Sequence, residues 1–225
     1  MYRKLLCSLG LSEKHRAPEL LLKDGVWQRL NIKTVIHVGA HHAQELEFYD
    51  AMGASAVLWI EASPTEFSGL TARLRQATGK TRHVAVNAFA GETTGQTLSL
   101  RRFSNEGMSS SIFPPTSLFR ENWPHTEETG TTEDVVTARL DDIASENGFS
   151  EADLLVVDVQ GAELIVLRGA EMLLAQAKAV ISEVSKQEFY EGGVQQPVLR
   201  QFLRMHGFEQ VTRPPKHGDQ LFLRK

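Results

Sequence analysis

Short apolar runs alternate with segments of helical periodicity along most of the chain, a pattern typical of a parallel β-sheet covered by helices. The runs are rich in β-branched residues and predict buried strands. The predicted strands are 33–39, 56–62, 82–90, 96–103, 152–161 and 179–184, followed by 208–211 and 220–224. The sequence therefore predicts an α/β fold with a central strand at 152–161, an edge strand at 96–103 and a hairpin at the end.

Apolar residues recur every three or four positions between several of these strands, which is the spacing of one helix face. Ser63 is an expected N-cap, because a proline and a capping-box glutamate follow it in "SPTE". Helices are predicted from near Ala43 to Gly53, from Ser63 to Gly79, through Leu164, Leu167 and Leu173, and over 196–207.

Residues 104–134 lack a regular apolar period and are rich in Ser, Thr, Pro and Gly. An irregular segment of this length inside a compact domain is usually a lid or a binding loop. We therefore expect a lid insertion at 104–134 within a single domain of residues 31–225, preceded by a helical extension at 1–30.

Composition and charge exclude several function classes. The chain has 225 residues, of which 41% are hydrophobic and 23% charged, as expected for one globular domain. Its net charge of −4 lacks the basic excess typical of nucleic-acid binding. A single cysteine, Cys7, excludes an internal disulfide. With no signal-peptide core and no apolar run long enough to span a membrane, a cytoplasmic protein is predicted.

The turn after the first strand, "GAHHA" at 39–43, is the first candidate site. Ligands of open parallel sheets bind at the carboxyl ends of the strands, and the small Gly39 and Ala40 would let the backbone approach a cofactor. Three interpretations of this turn are open at this point, a metal site, a catalytic histidine pair or a cofactor loop. A tight turn without a ligand explains the stretch equally simply.

Histidine spacing argues against a metal ion. Adjacent residues such as His41 and His42 cannot both face one metal from a helix, and the other histidines and the cysteine show no metal-ligand spacing. No metal site is therefore predicted. His37 lies within a strand and is interpreted as a core histidine or a residue of the pocket wall.

Three carboxylates follow apolar strands. Glu61 ends the second strand about 20 residues after the first turn, where an acidic side chain can bind both hydroxyls of a ribose. Asp158 ends "LLVVD" and Glu183 ends "AVISE", so both are expected in the same crevice. A solvated strand-end carboxylate is the alternative explanation for Glu61. Together with the small-residue turn, Glu61 favours an adenosine-containing cofactor.

Four ordered motifs between about residues 33 and 211 resemble those of the FkbM-type methyltransferases, which use S-adenosylmethionine. The first three are "VIHVGAHHA", "WIEASPTEF" and the serine cluster "GMSSSIFP". The most specific is "VVTARLDDIA" followed by "ADLLVVDVQGAELIVLRGAEMLLAQAKAVISEV". Three positions depart from the family pattern. Ala43 replaces the usual glycine, Val157 stands where lysine is common, and Gln160 replaces a glutamate, which bears on the acceptor and on any metal dependence.

This resemblance implies the Rossmann-like methyltransferase fold, a mostly parallel seven-stranded sheet with an antiparallel last strand and helices on both faces. It also implies S-adenosylmethionine as cofactor and O-methyl transfer to a hydroxyl of a sugar, a glycan or a secondary metabolite. The acceptor is thus expected to be a small molecule or a glycan, not a nucleic acid.

Site roles follow from the strand ends and from the resemblance. Cofactor binding is predicted for His37, Gly39, Ala40, His41, Glu61, Ala62, Ser63, Asn87 and Asp158, with Glu61 on the ribose and Asn87 beside the adenine. Asp158 is the candidate base, with His41 and Glu183 as further catalytic candidates. Ser109, Ser110, His125 and Gln160 are predicted to contact the acceptor.

Two other functions are consistent with parts of the pattern. A non-catalytic methyltransferase-like binding module is favoured by the changes at Ala43 and Gln160, whereas Glu61 and Asp158 argue against it. A nicotinamide-dependent oxidoreductase would share the parallel sheet. The missing second and third glycines of its fingerprint and the terminal hairpin count against that alternative.

Overall fold

A computed structural model describes residues 30–210 and 216–225. Its strands are β1 Thr34–Val38, β2 Ala56–Glu61, β3 Arg82–Asn87, β4 Phe89–Gly91, β5 Thr97–Phe103, β6 Glu128–Arg139, β7 Leu154–Val157, β8 Ala179–Ser185, β9 Phe208–Gln210 and β10 His217–Arg224. Seven of them form one sheet in the order β3-β2-β1-β7-β8-β10-β9. Only β10 runs antiparallel to its neighbours β8 and β9. The predicted mostly parallel sheet with an antiparallel last strand is confirmed.

Helices cover both faces of this sheet. They are α1 Leu46–Met52, α2 Pro64–Leu74, α3 Ser117–Asn122, α4 Leu140–Glu146, α5 Glu163–Arg168, α6 Glu171–Gln176 and α7 Gln196–Met205. Alternate side chains of β1, β2 and β7 point to opposite faces and form two cores. One core contains residues of α4 to α7, and the other contains residues of α1 and α2.

The strand predicted at 82–90 is divided in two. The Asn87 side-chain amide donates to the carbonyl of Glu61 at 2.8 Å, and the Ala88 N–H donates to the same carbonyl. After this point Phe89 leaves the main sheet and pairs with Thr137 of β6. A second sheet has the order β4-β6-β5, so the strand predicted at 96–103 is an edge strand, but of this smaller sheet.

Residues 104–134 are more regular than predicted. Helix α3 begins after Thr116, whose Oγ1 accepts a hydrogen bond from the Phe119 N–H, and β6 begins at Glu128. The prediction of irregular structure is therefore wrong for 117–122 and 128–134. The first part of β6 is mostly exposed and polar, so it lacks the apolar alternation that indicates a strand.

Other boundaries also differ from the prediction. The central strand ends at Val157, and residues 158–161 form a turn in which Gln160 has a φ of 54°. The helix predicted through Leu164 to Leu173 breaks near Gly169, because the Asp141 carboxylate accepts the N–H groups of Met172 and Leu173 and starts α6 there. α1 begins at Leu46, three residues after the predicted start.

Parts of the prediction lie outside the described residues. The helical extension at 1–30 falls almost wholly on residues 1–29, and Cys7 lies there too. In residues 30–210 and 216–225, no helix has the length and apolar character needed to cross a membrane.

Candidate functional site

A cavity of about 580 Å³ lies at the carboxyl ends of β1, β2 and β7, where the strand order of the main sheet reverses. Such a switch point is the usual ligand site of an open parallel sheet. Its lining includes Gly39, His41, Glu61, Ala62, Asp158 and Gln160, with Gly107, Met108, Ser110 and Ile112 from the segment that covers it. We call it the switch-point cavity.

The turn after β1 requires a glycine. Gly39 has a φ of 82°, and a Cβ added there would overlap the backbone carbonyl of Asp158. The N–H groups of Gly39 and Ala40 both donate to the Ile60 carbonyl at 3.0 Å. The backbone of the turn is thereby held against the ends of both neighbouring strands, β2 and β7.

Glu61 is fixed at the cavity wall by the backbone. Its Oε1 accepts the Ser63 N–H and its Oε2 accepts the His41 N–H, each at 2.8 Å. Burial raises the pKa of Glu61 above its usual range, although these two hydrogen bonds oppose the increase. Each carboxylate oxygen can accept a second hydrogen bond, so the group can still bind hydroxyls of a ligand.

Several predicted cofactor-binding residues do not line the cavity. His37 is 5% exposed and packs in the core, where its ring stacks on Trp59 and its Nδ1 bonds the Tyr49 hydroxyl. Its alternative interpretation as a core histidine fits this position. Ser63 caps α2 by accepting the Glu66 N–H, and Ala40 is buried in the core beneath the turn. The Asn87 side-chain amide donates to the Glu61 and Ala62 carbonyls and so supports the backbone of the cavity wall.

The predicted acceptor residues are divided between two places. Ser110 lines the switch-point cavity, and its buried Oγ has no hydrogen-bond partner among the described residues. Ser109 lies beside it, and its carbonyl accepts the Tyr190 hydroxyl at 3.0 Å. His125 is exposed and does not line the switch-point cavity, so the structure does not bring it to the site.

Three carboxylates, of which only Glu163 is fully buried, meet beyond the end of β7. Oxygens of Asp158, Glu163 and Glu183 all lie within 4.8 Å of one another, a spacing that could also hold a cation. Burial raises the pKa of Glu163 to about 7 and raises that of Glu183 well above its usual range, with the Asp158 charge as the next cause for Glu183. The cluster therefore retains protons where isolated carboxylates would be charged.

Gln160 bridges this cluster to an aromatic side chain that the sequence did not indicate. Its Nε2 donates to Asp158 Oδ1 at 2.6 Å and to Glu183 Oε2 at 3.1 Å. Its Oε1 accepts the Tyr190 hydroxyl at 2.9 Å. Tyr190 follows β8 in the chain. Its position after a parallel strand was the only feature of the sequence that could have indicated a place at this site.

A second cavity of about 330 Å³ lies on the other side of these carboxylates. It is lined by Glu183, Phe189, Tyr190 and His217, among others. His217 Nε2 lies 3.3 Å from Glu183 Oε1, and burial lowers the pKa of His217. The His217 Nδ1 is buried and has no partner within the described part of the chain. A polar ligand in this cavity could satisfy that atom.

The two adjacent histidines point in the same direction, contrary to the argument from helical spacing. His41 has a φ of 44° and Ala43 a φ of 52°, so both lie in a turn before α1. The ring centroids of His41 and His42 are 3.9 Å apart, and both rings approach the Glu66 carboxylate. The two rings can therefore face one ligand, because they lie in a turn and not in the helix that the sequence suggests.

A sequence model of the methyltransferase FkbM domain matches residues 37–209. That range includes the turn at Gly39, the Glu61 carboxylate and the cluster around Asp158. The chain belongs to the FkbM methyltransferase family. The predicted family is thereby confirmed.

One relative of this FkbM-family chain agrees with the family assignment. The 2-O-methyltransferase NoeI of Sinorhizobium fredii (strain NBRC 101917 / NGR234) is 40% identical over 89 residues, which are 39% of this chain and 36% of that protein. The alignment thus spans little more than a third of the relative.

Two solved structures are similar to this FkbM-family chain. WbdD, crystallised with the kinase inhibitor LY294002, has a TM-score of 0.50 at 12% identity and covers 95% of this chain and 41% of that one. Magnesium protoporphyrin IX methyltransferase (ChlM) from Synechocystis PCC 6803 with bound SAM has a TM-score of 0.45 at 9% identity, covering 96% and 88%. At these identities the likeness concerns the fold alone.

Proposed function

We propose that this FkbM-family chain transfers a methyl group from S-adenosylmethionine to a hydroxyl of a sugar or glycan. The observation that carries the proposal is the Glu61 carboxylate, fixed by two backbone N–H groups beside the glycine turn of the switch-point cavity. A secondary metabolite with an equivalent hydroxyl is the alternative acceptor.

The lining of the switch-point cavity fits the donor in chemistry. Ile60, Phe89 and Leu100 supply apolar walls suited to an adenine. Glu61 would accept the ribose hydroxyls, and the unpartnered Ser110 Oγ would bond a polar group of the donor or acceptor.

The bound donor supplies an electrophilic methyl group, and the chain must orient the acceptor and remove its proton. Asp158 is the proposed base. The Gln160 amide donates to its Oδ1, which favours the charged form, whereas the neighbouring Glu183 retains its proton because it is buried beside Asp158. A positioned base contributes roughly 10²–10⁴-fold to the rate.

His41 fits a structural role better than a catalytic one. Its Nε2 lies 2.7 Å from the Glu106 carbonyl, which only accepts, so Nε2 carries the proton. Its Nδ1 then accepts from the Gln44 amide at 2.7 Å. Both ring nitrogens are thereby engaged with the protein, and the covering segment is held over the cavity.

The second cavity is the proposed place of the acceptor. Carboxylate and imidazole groups there can bond hydroxyls, and Phe189 and Tyr190 offer aromatic faces on which a sugar ring can pack. The relative NoeI is named a 2-O-methyltransferase, which supports an oxygen acceptor.

Calorimetry with S-adenosylmethionine tests the donor site. We expect Glu61→Gln to weaken binding at least tenfold, because the ribose contacts of a charged acceptor are lost. Glu47→Gln is the matched control, since Glu47 is an exposed residue paired with Arg73 away from the cavity. Equal affinity of the Glu61 variant and the wild type would remove the donor assignment.

Methyl incorporation from labelled donor into sugars, glycans and polyketides tests the reaction. Transfer to a hydroxyl of one class identifies the acceptor. Tight donor binding without transfer to any of them would favour the non-catalytic binding module. Binding of NADH instead of S-adenosylmethionine would favour the oxidoreductase.

A further inference from the structure

His41, His42 and Glu66 form a cluster that the proposed methyl transfer does not use. His42 Nε2 lies 2.9 Å from Glu66 Oε2, and His41 Nε2 lies 3.6 Å from the same oxygen. These three ligand atoms all lie within 4.8 Å of one another. Three potential metal ligands therefore converge on one point beside the switch-point cavity.

The spacing suits a tetrahedral metal ion. Zinc binds histidine nitrogen and carboxylate oxygen at about 2.0–2.2 Å, so neighbouring ligands of a tetrahedral site are roughly 3.4 Å apart. The two observed separations, 2.9 and 3.6 Å, lie on either side of that value. Two imidazoles and one carboxylate are also a ligand set that zinc accepts with a fourth position open.

Surrounding residues hold these three side chains in place. Arg102 Nη2 lies 2.6 Å from Glu66 Oε1, which leaves Oε2 directed at the histidines. A Cβ at Gly69 would lie 2.6 Å from the His42 ring, and a Cβ at Gly107 would lie 2.7 Å from Glu66 Oε1. Both glycines thus provide the space that the cluster occupies.

Partners of the ligands can adapt to a bound ion. A ligating imidazole nitrogen must be deprotonated, and the other ring nitrogen normally donates to a fixed acceptor. For His41 the proton would move from Nε2 to Nδ1. Rotation of the Gln44 amide, now 2.7 Å from Nδ1, would then present its oxygen as the acceptor. The His42 side chain is 36% exposed and gives the ion an access route.

We propose that His41, His42 and Glu66 bind one divalent transition-metal ion of the zinc class. The ion would join the turn after β1 to α2. Glu66 also lies against Gly107, so the ion would fix the covering segment through Glu66. This is a structural metal site at the wall of the switch-point cavity, and it is separate from the transfer step.

Metal titration of untagged, chelator-treated protein tests the proposal. We expect one equivalent of Zn²⁺ to bind, Co²⁺ to give the visible absorption of a tetrahedral site, and excess Mg²⁺ not to compete. His42→Gln and Glu66→Gln should each lower the Zn²⁺ affinity at least tenfold. His206→Gln is the matched control, because His206 bonds the Phe202 carbonyl on α7 and should bind Zn²⁺ as the wild type does.

Three results would overturn the site. One is the absence of stoichiometric Zn²⁺ binding, which would mean that the cluster is held by hydrogen bonds alone. Another is unchanged Zn²⁺ affinity in folded His42→Gln, a variant at a partly exposed position that should fold even if Glu66→Gln does not. The third is loss of binding in His83→Gln instead, which would locate the ion at the His83–Asp50 pair.

Discussion

The side chain of Gln160 joins Asp158 to Glu183, because its amide nitrogen donates to both carboxylates, at 2.6 and 3.1 Å. A carboxylate at this position could not make both bonds. It would add another acid to a cluster that already contains Glu163. A glutamine at this position therefore changes how the acids of the cluster are neutralised, not only the net charge.

Gln160→Glu should impair turnover and shift its pH dependence. A new carboxylate beside Asp158 and Glu183 raises their pKa values by repulsion, so the base is charged only at higher pH. We expect the pH profile of turnover to move upward and S-adenosylmethionine affinity to change little. Turnover measured from pH 6 to 9 checks this. Gln176→Glu, an exposed position on α6, should leave the profile in place.

Asp158→Asn should abolish turnover and retain donor binding. An amide cannot remove the acceptor proton, and roughly 10²–10⁴-fold of the rate depends on a positioned base. Single-turnover methyl transfer and calorimetry with the donor measure the two effects separately. Asp142→Asn is the control, since Asp142 is exposed and bonds Thr94. Full turnover of the Asp158 variant would assign the base elsewhere.

The inner strands of the main sheet could be predicted from the sequence because they are buried on both faces. β2 and β7 are buried along their whole length, so they appear in the sequence as continuous apolar runs. β6 is the opposite case, since its exposed, polar first half pairs with β5 at the surface and carries no such signal. Burial on both faces therefore explains why these inner strands could be predicted, although the partly exposed β3 and β5 were predicted as well.

Only part of the candidate site could likewise be predicted from the sequence. Glu61 and Asp158 follow parallel strands, whose carboxyl ends share one edge, so their proximity could be inferred. Tyr190 reaches Gln160 from the segment after β8, and His217 reaches Glu183 from the antiparallel β10, whose register with β8 is not visible in the sequence. The histidine pair was misjudged because positive φ angles at His41 and Ala43 replace the assumed helix.

Glu163→Gln should change how stability depends on pH. The folded pKa of Glu163 is raised to about 7, so its stabilising contribution is complete below about 4.5 and is lost as pH rises through 7. The free-energy cost of charging Glu163 in the folded state at higher pH is roughly 3 kcal/mol. Gln retains the Oε1 that accepts the Val159 and Gly161 N–H groups.

We therefore expect the variant to gain stability relative to the wild type between pH 5 and pH 8. Urea unfolding at both pH values measures the difference. Glu146→Gln, at an exposed position on α4, should show no such gain. A difference from the wild type that is the same at pH 5 and pH 8 would mean that Glu163 does not hold its proton in the folded state.

Gly39→Ala should damage both the fold and the donor site. An L-residue with a φ near 82° is strained by about 1–2 kcal/mol, and the added Cβ would also overlap the Asp158 carbonyl. Gly53→Ala separates the two effects, because Gly53 has a similar φ of 74° with nothing within 4 Å of a Cβ. Gly53→Ala should therefore show only the strain, as a modest decrease in the free energy of unfolding.

Gly39→Ala should lose clearly more stability than that, and its affinity for S-adenosylmethionine should decrease, since relief of the overlap moves β1 away from β7. Urea unfolding and calorimetry on both variants make the comparison. Equal losses of stability in the two variants would mean that the β1 turn and the end of β7 can separate freely. In that case the close approach of Gly39 to Asp158 would not be what shapes the switch-point cavity.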